Sequence, residues 1–341
     1  MSVYCFWNNK GGTGKTTLSF EAITKYASVN PNEKILIIDM CPQANLSELL
    51  LGGLVGNGAK NLNDLYKTDK RKSVGGYFQE RIRSPYKMPS INYHDFICVP
   101  YEKNTHIPRN IDLFAGDSLV ELQASSISTQ ASNNLAGVDS WISVIAWIKD
   151  FLILTENQYD MIFIDSNPSF SIYTQIAIAA SEYLIVPIMP DDSSRRALQN
   201  VFALVYGLNI HGPGYENVTF SASMKKNNCV LPKIKLIVKN RLTQYMVGAA
   251  TAYASVFRDI DVLVKKIMQT NPEIFDFSDL ASGIVEVRDF GTTGVISFAF
   301  GTPFFDLRSG GYELGSKTTT LTKTYINKCR DDTKKVADHL N

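Results

Sequence analysis

The sequence predicts an α/β fold: a doubly wound, mostly parallel sheet with helices on both faces. Three features lead there. Short apolar, β-branched or aromatic runs recur with helical-length stretches between them, the alternation from which parallel sheets are built. Several runs are apolar throughout, which suits strands buried on both faces better than a sheet with one wet face. A glycine-rich loop joins the first run to the first helical stretch, where consecutive backbone N–H groups and a helix N-terminus favour anions.

The elements follow in chain order. Val3–Trp7 is the first expected strand, and the amphipathic stretch behind the glycine loop predicts a helix over 15–28. Further strands are expected at Lys34–Asp39, Ile111–Ala115, Met161–Asp165, Tyr183–Ile188, Ile234–Lys239 and Gly283–Val287, all short and rich in apolar residues. Between and after them, helices are expected over 118–128, 139–154, 171–180, 193–209, 244–269 and 314–339. Residues 52–110, rich in Gly, Asn, Lys and Pro, read as loops with short elements, and 211–230 as a second decoration. The whole of 1–341 reads as one domain carrying these two decorations.

Composition narrows the class. A chain of 341 residues, 45% hydrophobic and 20% charged, can bury a large core, which excludes disorder, collagen and coiled coil. No window approaches the ~18 uninterrupted apolar residues of a membrane span, and the first residues, MSVYCFWNNKGG, lack a basic n-region and a long apolar h-region. A cytoplasmic protein is expected. Cys5, Cys41, Cys98, Cys229 and Cys329 are scattered and never in C-x-x-C spacing, so neither a disulfide framework nor a zinc or iron–sulfur site is indicated. The four histidines stand far apart. Net charge is +1, yet residues 67–87 and 231–270 each carry seven Lys/Arg against two Asp/Glu, and local charge is what a surface presents.

The chemistry is concentrated in Lys10-Gly11-Gly12-Thr13-Gly14-Lys15-Thr16-Thr17. Strand, glycine loop and helix in that order make a phosphate cradle. Glycines let the chain wrap a phosphate closely, Lys15 supplies a point charge for the β and γ phosphates, and the Thr16 hydroxyl is placed for Mg²⁺. The usual pattern G-x-x-x-x-G-K-S/T would need Gly at position 9; this chain has Asn9 there and an additional lysine, Lys10.

On those residues the chain resembles the ParA/MinD family of deviant Walker-A P-loop ATPases, and within it the ParA/Soj-type partition ATPases. Two further segments are similar. Asp39-Met40-Cys41-Pro42-Gln43-Ala44-Asn45 resembles the family's switch segment, usually DxDPQxN, and Met161–Asp165 followed by Ser166-Asn167-Pro168-Ser169 resembles its Walker B strand. Val238-Lys239-Asn240-Arg241 is similar to the strand end that contacts adenine, and 287–309 to the closing segment of ParA-type proteins. The resemblance implies ATP and Mg²⁺ as cofactors, with Thr16 holding the metal and Asp165 reaching it through water, and Asn240 pairing with the base. It implies that Lys10 reaches the partner's nucleotide in an ATP-sandwich homodimer, so that dimerisation is coupled to ATP. Lys10, Lys15 and Asp39 are the expected catalytic residues. One departure bears on turnover: Cys41 occupies the position of the aspartate that helps organise the attacking water, and a neutral thiol is a poor substitute. Hydrolysis is then slow, or Asp39 takes part of the role.

The family's outputs divide by surface. On the expected helix over 244–269, Arg258, Lys265 and Lys266 fall at i, i+7 and i+8 with Arg241 just before it, a stripe suited to phosphate contacts without base readout. Arg288 lies where ParA-type relatives carry DNA-contacting basic residues. The expectation is therefore non-specific DNA binding by an ATP-bound, nucleoid-associated dimer, released by a ParB-like or adaptor protein that stimulates hydrolysis, in plasmid or chromosome partition or cargo positioning. Two alternatives stay open: a MinD-like membrane-associated regulator, against which the last helix is thinly apolar, and a metabolic P-loop enzyme such as a nitrogenase-reductase relative or a dethiobiotin-synthetase-like ligase. Because the phosphate site starts at residue 10, no helix-turn-helix extension is expected ahead of it.

Overall fold

The structure is a computed structural model and describes residues 1–155, 158–208, 219–242 and 247–340. Its centre is an eight-stranded sheet made of β1 (Ser2–Phe6), β2 (Ile35–Asp39), β3 (Ile97–Cys98), β4 (Ile111–Phe114), β5 (Met161–Asp165), β6 (Tyr183–Ile188), β7 (Lys233–Leu242) and β8 (Ile284–Arg288). The order across the sheet is β3-β4-β2-β5-β1-β6-β7-β8. Only the short edge strand β3 runs antiparallel, against β4; the other neighbours are parallel. The fold is the expected α/β architecture.

Apolar runs with no polar alternation become strands buried on both faces because successive side chains enter different cores. Val3 and Cys5 of β1, Leu36 and Ile38 of β2, and Ile162 and Ile164 of β5 belong to one core. Tyr4 and Phe6, Ile35 and Ile37, and Met161 and Phe163 belong to the other, with the helices Lys15–Val29 and Lys323–Ala337 laid over them. The first core is covered by helices that include Val74–Arg83, Leu119–Ala131, Ile172–Ala179, Asp192–Tyr206 and Val247–Thr270.

Some expected boundaries move. The helix expected over 139–154 breaks at Ala146 into Ser140–Ile145 and Trp147–Leu154. The helix expected over 314–339 begins only at Lys323, because an antiparallel hairpin, β9 (Gly310–Leu314) with β10 (Lys317–Leu321), precedes it. Gly315 takes a φ of 59° in the turn, and Thr318–Thr320 is a β-branched run that prefers a strand. The Thr322 hydroxyl then accepts from the Tyr325 N–H and starts the helix. Within 52–110 lie two true helices, Gly58–Tyr66 and Val74–Arg83. Of the decoration expected at 211–230, residues 211–218 lie outside the described residues, and Phe220–Lys226 is a helix.

Candidate nucleotide-binding site

The site sits where the C-terminal ends of β1, β2, β5 and β7 meet, at the switch in strand order where doubly wound sheets open a crevice. The glycine loop leaves β1 and enters the helix Lys15–Val29 through Gly14, whose φ is 76°; Gly12 has a φ of 74°. At Gly14 space is as restrictive as conformation, since a Cβ there would lie 2.5 Å from Asn240 Nδ2.

Asp165, fully buried at the end of β5, collects two of the loop's polar side chains. Lys15 Nζ donates to its Oδ1 at 3.1 Å, and Thr16 Oγ1 donates to its Oδ2 at 3.1 Å. Burial works against the Lys15 charge, but the carboxylates around it, Asp165 foremost and Asp39 after it, hold its pKa above the ordinary value. The Thr16 hydroxyl and the Asp165 carboxylate are hard oxygen ligands of the kind Mg²⁺ takes, and the buried Lys15 ammonium beside them suits a phosphate. The Thr13 hydroxyl, also buried in the loop, makes no hydrogen bond.

Asp39 lies beside Asp165, their strands paired in register. Its carboxylate holds the segment that follows: Oδ1 accepts from the Cys41 N–H at 3.0 Å, and Oδ2 from the Ser47 N–H at 3.0 Å and the Ser47 hydroxyl at 2.8 Å. Burial, then the Asp165 charge, raises its pKa against the pull of those donors. Asp39 therefore orders the switch segment, fixing the start of the helix Asn45–Leu50. The Cys41 thiol is buried and pushed up to about 12 by burial and by Asp39, so it is neutral and a weak hydrogen-bonding group.

Lys10 stands at the lip of the loop. Its ammonium contacts the Asp191 carboxylate and reaches the Ser194 hydroxyl at 3.4 Å. Asp191 also caps the helix Asp192–Tyr206 by accepting from the Ser194 N–H at 2.8 Å, and burial is outweighed by Lys10 and the Ser donors, which lower its pKa. Asn200 on that helix donates to Asn9 Oδ1 at 3.0 Å. Sequence reasoning missed Asp191 and Ser47. Asp191-Asp192-Ser193-Ser194 carries a legible helix-cap signal, but nothing in the chain pairs it with Lys10 across 181 residues.

Other expected site residues separate. Asn240 is buried, donates to Thr13 O at 2.9 Å and accepts from the Arg241 N–H at 2.9 Å, so it ties β7 to the phosphate loop. Arg258, Lys265 and Lys266 are exposed on one side of the helix Val247–Thr270, while Phe257, Ile260, Val264 and Ile267 are buried beneath. Two further residues of the expected DNA set lie apart from the helix stripe. Arg288 forms an ion pair with the buried Asp332 at 2.6 Å and its N–H donates to the same carboxylate at 3.0 Å, locking β8 to the last helix. Arg241 lines the cavity beside Gly14 and Thr17, which the residues of the helix stripe do not line.

Residues 1–211 match the AAA_31 family model, described as an AAA domain. The virulence plasmid ParA family protein of Chlamydia psittaci is 28% identical over 213 residues, which is 62% of this chain and 66% of that one. The chain thus spans just under two thirds of that relative's length. A ParA family protein of Mycoplasma pneumoniae is 18% identical over 74% of this chain and 83% of its own. Among solved structures, apo McdA of Cyanothece covers 98% of this chain and 99% of its own with a TM-score of 0.60 at 14% identity. A putative plasmid partition protein of Borrelia burgdorferi bound to AMPPNP covers 98% and 97% with a TM-score of 0.53 at 16% identity. At such identities the two structures establish likeness of fold.

Proposed function

From the premise that the chain belongs to the AAA_31 AAA-domain family and is of the ParA/Soj type, we propose that it is an ATPase that dimerises on Mg·ATP, binds DNA without sequence preference and drives partition or cargo positioning. The observation that carries this reading is the convergence of Lys15 and Thr16 on Asp165 at the glycine loop. In it Thr16 and Asp165 would hold Mg²⁺, Asp165 through water, and the ion would supply positive charge against the phosphates. The loop amides of Gly11–Thr17 wrap the phosphates, Lys15 adds positive charge at their centre, and Asn240 keeps the loop closed from the side of β7.

Lys10 supplies the switch. Its contact with Asp191 is partly exposed, with 22% and 42% of the two side chains accessible, and such a pair is worth about 1 kcal/mol or less. That is little to give up for a partner's triphosphate, so dimerisation follows ATP rather than ADP. Turnover in the isolated chain is slow: Cys41 is neutral and Asp39 is engaged by Ser47 and Cys41, which leaves orientation of the water to a stimulating ParB-like or adaptor protein.

The exposed stripe of Arg258, Lys265 and Lys266 favours DNA over membrane. The apolar side of the helix Lys323–Ala337 is already committed to the core, with Ile326, Cys329, Val336 and the following Leu340 buried, and no described helix is long and apolar enough to cross a membrane. A cytoplasmic protein held on the nucleoid by ATP fits these surfaces. The test is binding to a non-specific duplex at two salt concentrations with ATP, ADP or no nucleotide, following oligomeric state in the same samples. ATP-specific dimerisation with salt-sensitive DNA binding is expected; dimerisation without DNA binding overturns the DNA half, and monomers that ignore ATP overturn the switch.

A further inference from the structure

We infer that Arg241, at the end of β7, is a nucleotide residue whose guanidinium lies over the base, rather than a member of the DNA-binding stripe. This deepens the ATPase reading and rests on it.

The backbone sets the arrangement. Arg241 adopts a φ of 60°, in the left-handed region that side-chain-bearing residues seldom enter. The preceding side chain helps hold it there, because Asn240 Oδ1 accepts the Arg241 N–H at 2.9 Å while Asn240 Nδ2 donates to Thr13 O at 2.9 Å. The left-handed step turns the arginine back over the phosphate loop: its Nε lies 3.7 Å from where a Cβ on Gly14 would stand. Strained backbone persists where the surroundings enforce it, and functional sites are where that happens.

The cavity next to it has the right place and size. Its volume is about 1080 Å³, and Gly14, Thr17, Asn240, Arg241, Phe290 and Gly291 are among its lining residues. A nucleotide whose β and γ phosphates occupy Gly12–Thr16 must run its sugar and base past Thr17, and this cavity opens there. A planar guanidinium is weakly hydrated and stacks on flat rings. Asn240, its amide bridging Thr13 and Arg241, positions this arginine. Lys265 and Lys266 line other grooves of the surface, so Arg241 and the helix stripe address different ligands.

The test measures equilibrium binding of ATP, UTP and inorganic tripolyphosphate, each with Mg²⁺, to the unmodified chain, Arg241→Ala and Arg241→Lys, together with duplex retention at saturating ATP. Arg241→Ala is expected to weaken ATP about tenfold, to bring ATP and UTP affinities together, and to leave tripolyphosphate within about twofold, a result that also reports an intact loop. Duplex retention stays unchanged, and Arg241→Lys, which keeps the charge but loses the plane, behaves like Arg241→Ala. Unchanged ATP affinity overturns the inference, as does equal loss of ATP and tripolyphosphate, rescue by lysine, or loss of duplex with ATP retained. An unmodified chain that binds neither ATP nor tripolyphosphate overturns the ATPase reading itself.

Discussion

The phosphate loop and the outer face of the helix Val247–Thr270 are both basic, and they hold their charge on opposite terms. In the loop, Lys15 is 7% exposed and faces a fully buried Asp165 at 3.1 Å. On the helix, Arg258, Lys265 and Lys266 are exposed above a buried apolar side. The loop's cation has already been stripped of water and aimed, so a ligand that meets it gains a strong, directional interaction in low dielectric. Exposed cations such as Lys265 and Lys266 keep their hydration, so each gives a small, salt-screened and additive contribution. One region is built for a defined chemical group, the other for any polyanion with regularly spaced phosphates.

The largest effect belongs to the buried charge. Lys15→Ala is expected to abolish nucleotide binding, a loss of at least about 100-fold, and to cost about 3–5 kcal/mol in urea unfolding because Asp165 is left buried without its cation. Lys10→Ala should act differently: nucleotide affinity stays within about threefold, since the partner contact is absent in the monomer, while ATP-dependent dimerisation disappears in sedimentation. If both variants lose nucleotide equally, Lys10 belongs with Lys15 and the sandwich reading fails.

Next comes turnover. Cys41→Asp restores a carboxylate two residues past Asp39, and kcat without a stimulating partner should rise about tenfold or more with KM within about twofold. An unchanged kcat would assign the attacking water to a different group. On the helix, Lys265→Ala with Lys266→Ala should weaken duplex binding and flatten the dependence of log K on log salt by about 0.9 per phosphate contact removed, leaving nucleotide affinity untouched. An unchanged slope with weaker binding would show that the two lysines shape the helix rather than meet phosphates.

Legibility in the sequence divides along similar lines. The sheet was readable because continuous apolar runs are what strands with two cores require, and Lys10–Thr17 because one loop supplies all its parts in eight consecutive positions. What escaped is assembled across distance. Asp191 meets Lys10 over 181 residues, Asp332 takes Arg288 over 44, and Arg241 turns toward Gly14 only because its own φ is positive. A basic residue's pattern in sequence does not reveal whether an intramolecular carboxylate has claimed it, as Asp332 has claimed Arg288. The hairpin Gly310–Leu321 was hidden for a local reason: Gly315 and the threonine run contradict the helix expected there, and turn chemistry outweighed the wider amphipathic pattern.

A further effect, confined to high pH, tests the rule that a buried charge needs a counter-charge. Glu21, on the first helix and 1% exposed, is buried with only neutral donors: the Ser297 hydroxyl at 2.5 Å and the Phe304 N–H at 2.9 Å. Burial outweighs both donors, and the pKa rises from 4.5 to about 8. Between those values the folded chain keeps a proton that the unfolded chain has released, so stability falls as pH rises through the interval and levels off above about 8. Glu21→Gln preserves the shape and both hydrogen bonds, its amide donating to Ser297 and its carbonyl accepting from Phe304. The variant should therefore match the parent near pH 5 in thermal melts and exceed it at pH 9, with a flatter profile between. If the parent's decline persists in Glu21→Gln, the carboxyl is ionised at neutral pH and neutral donors suffice to hold a buried charge, which would remove the distinction drawn between Lys15 with its Asp165 and a buried group left with dipoles alone.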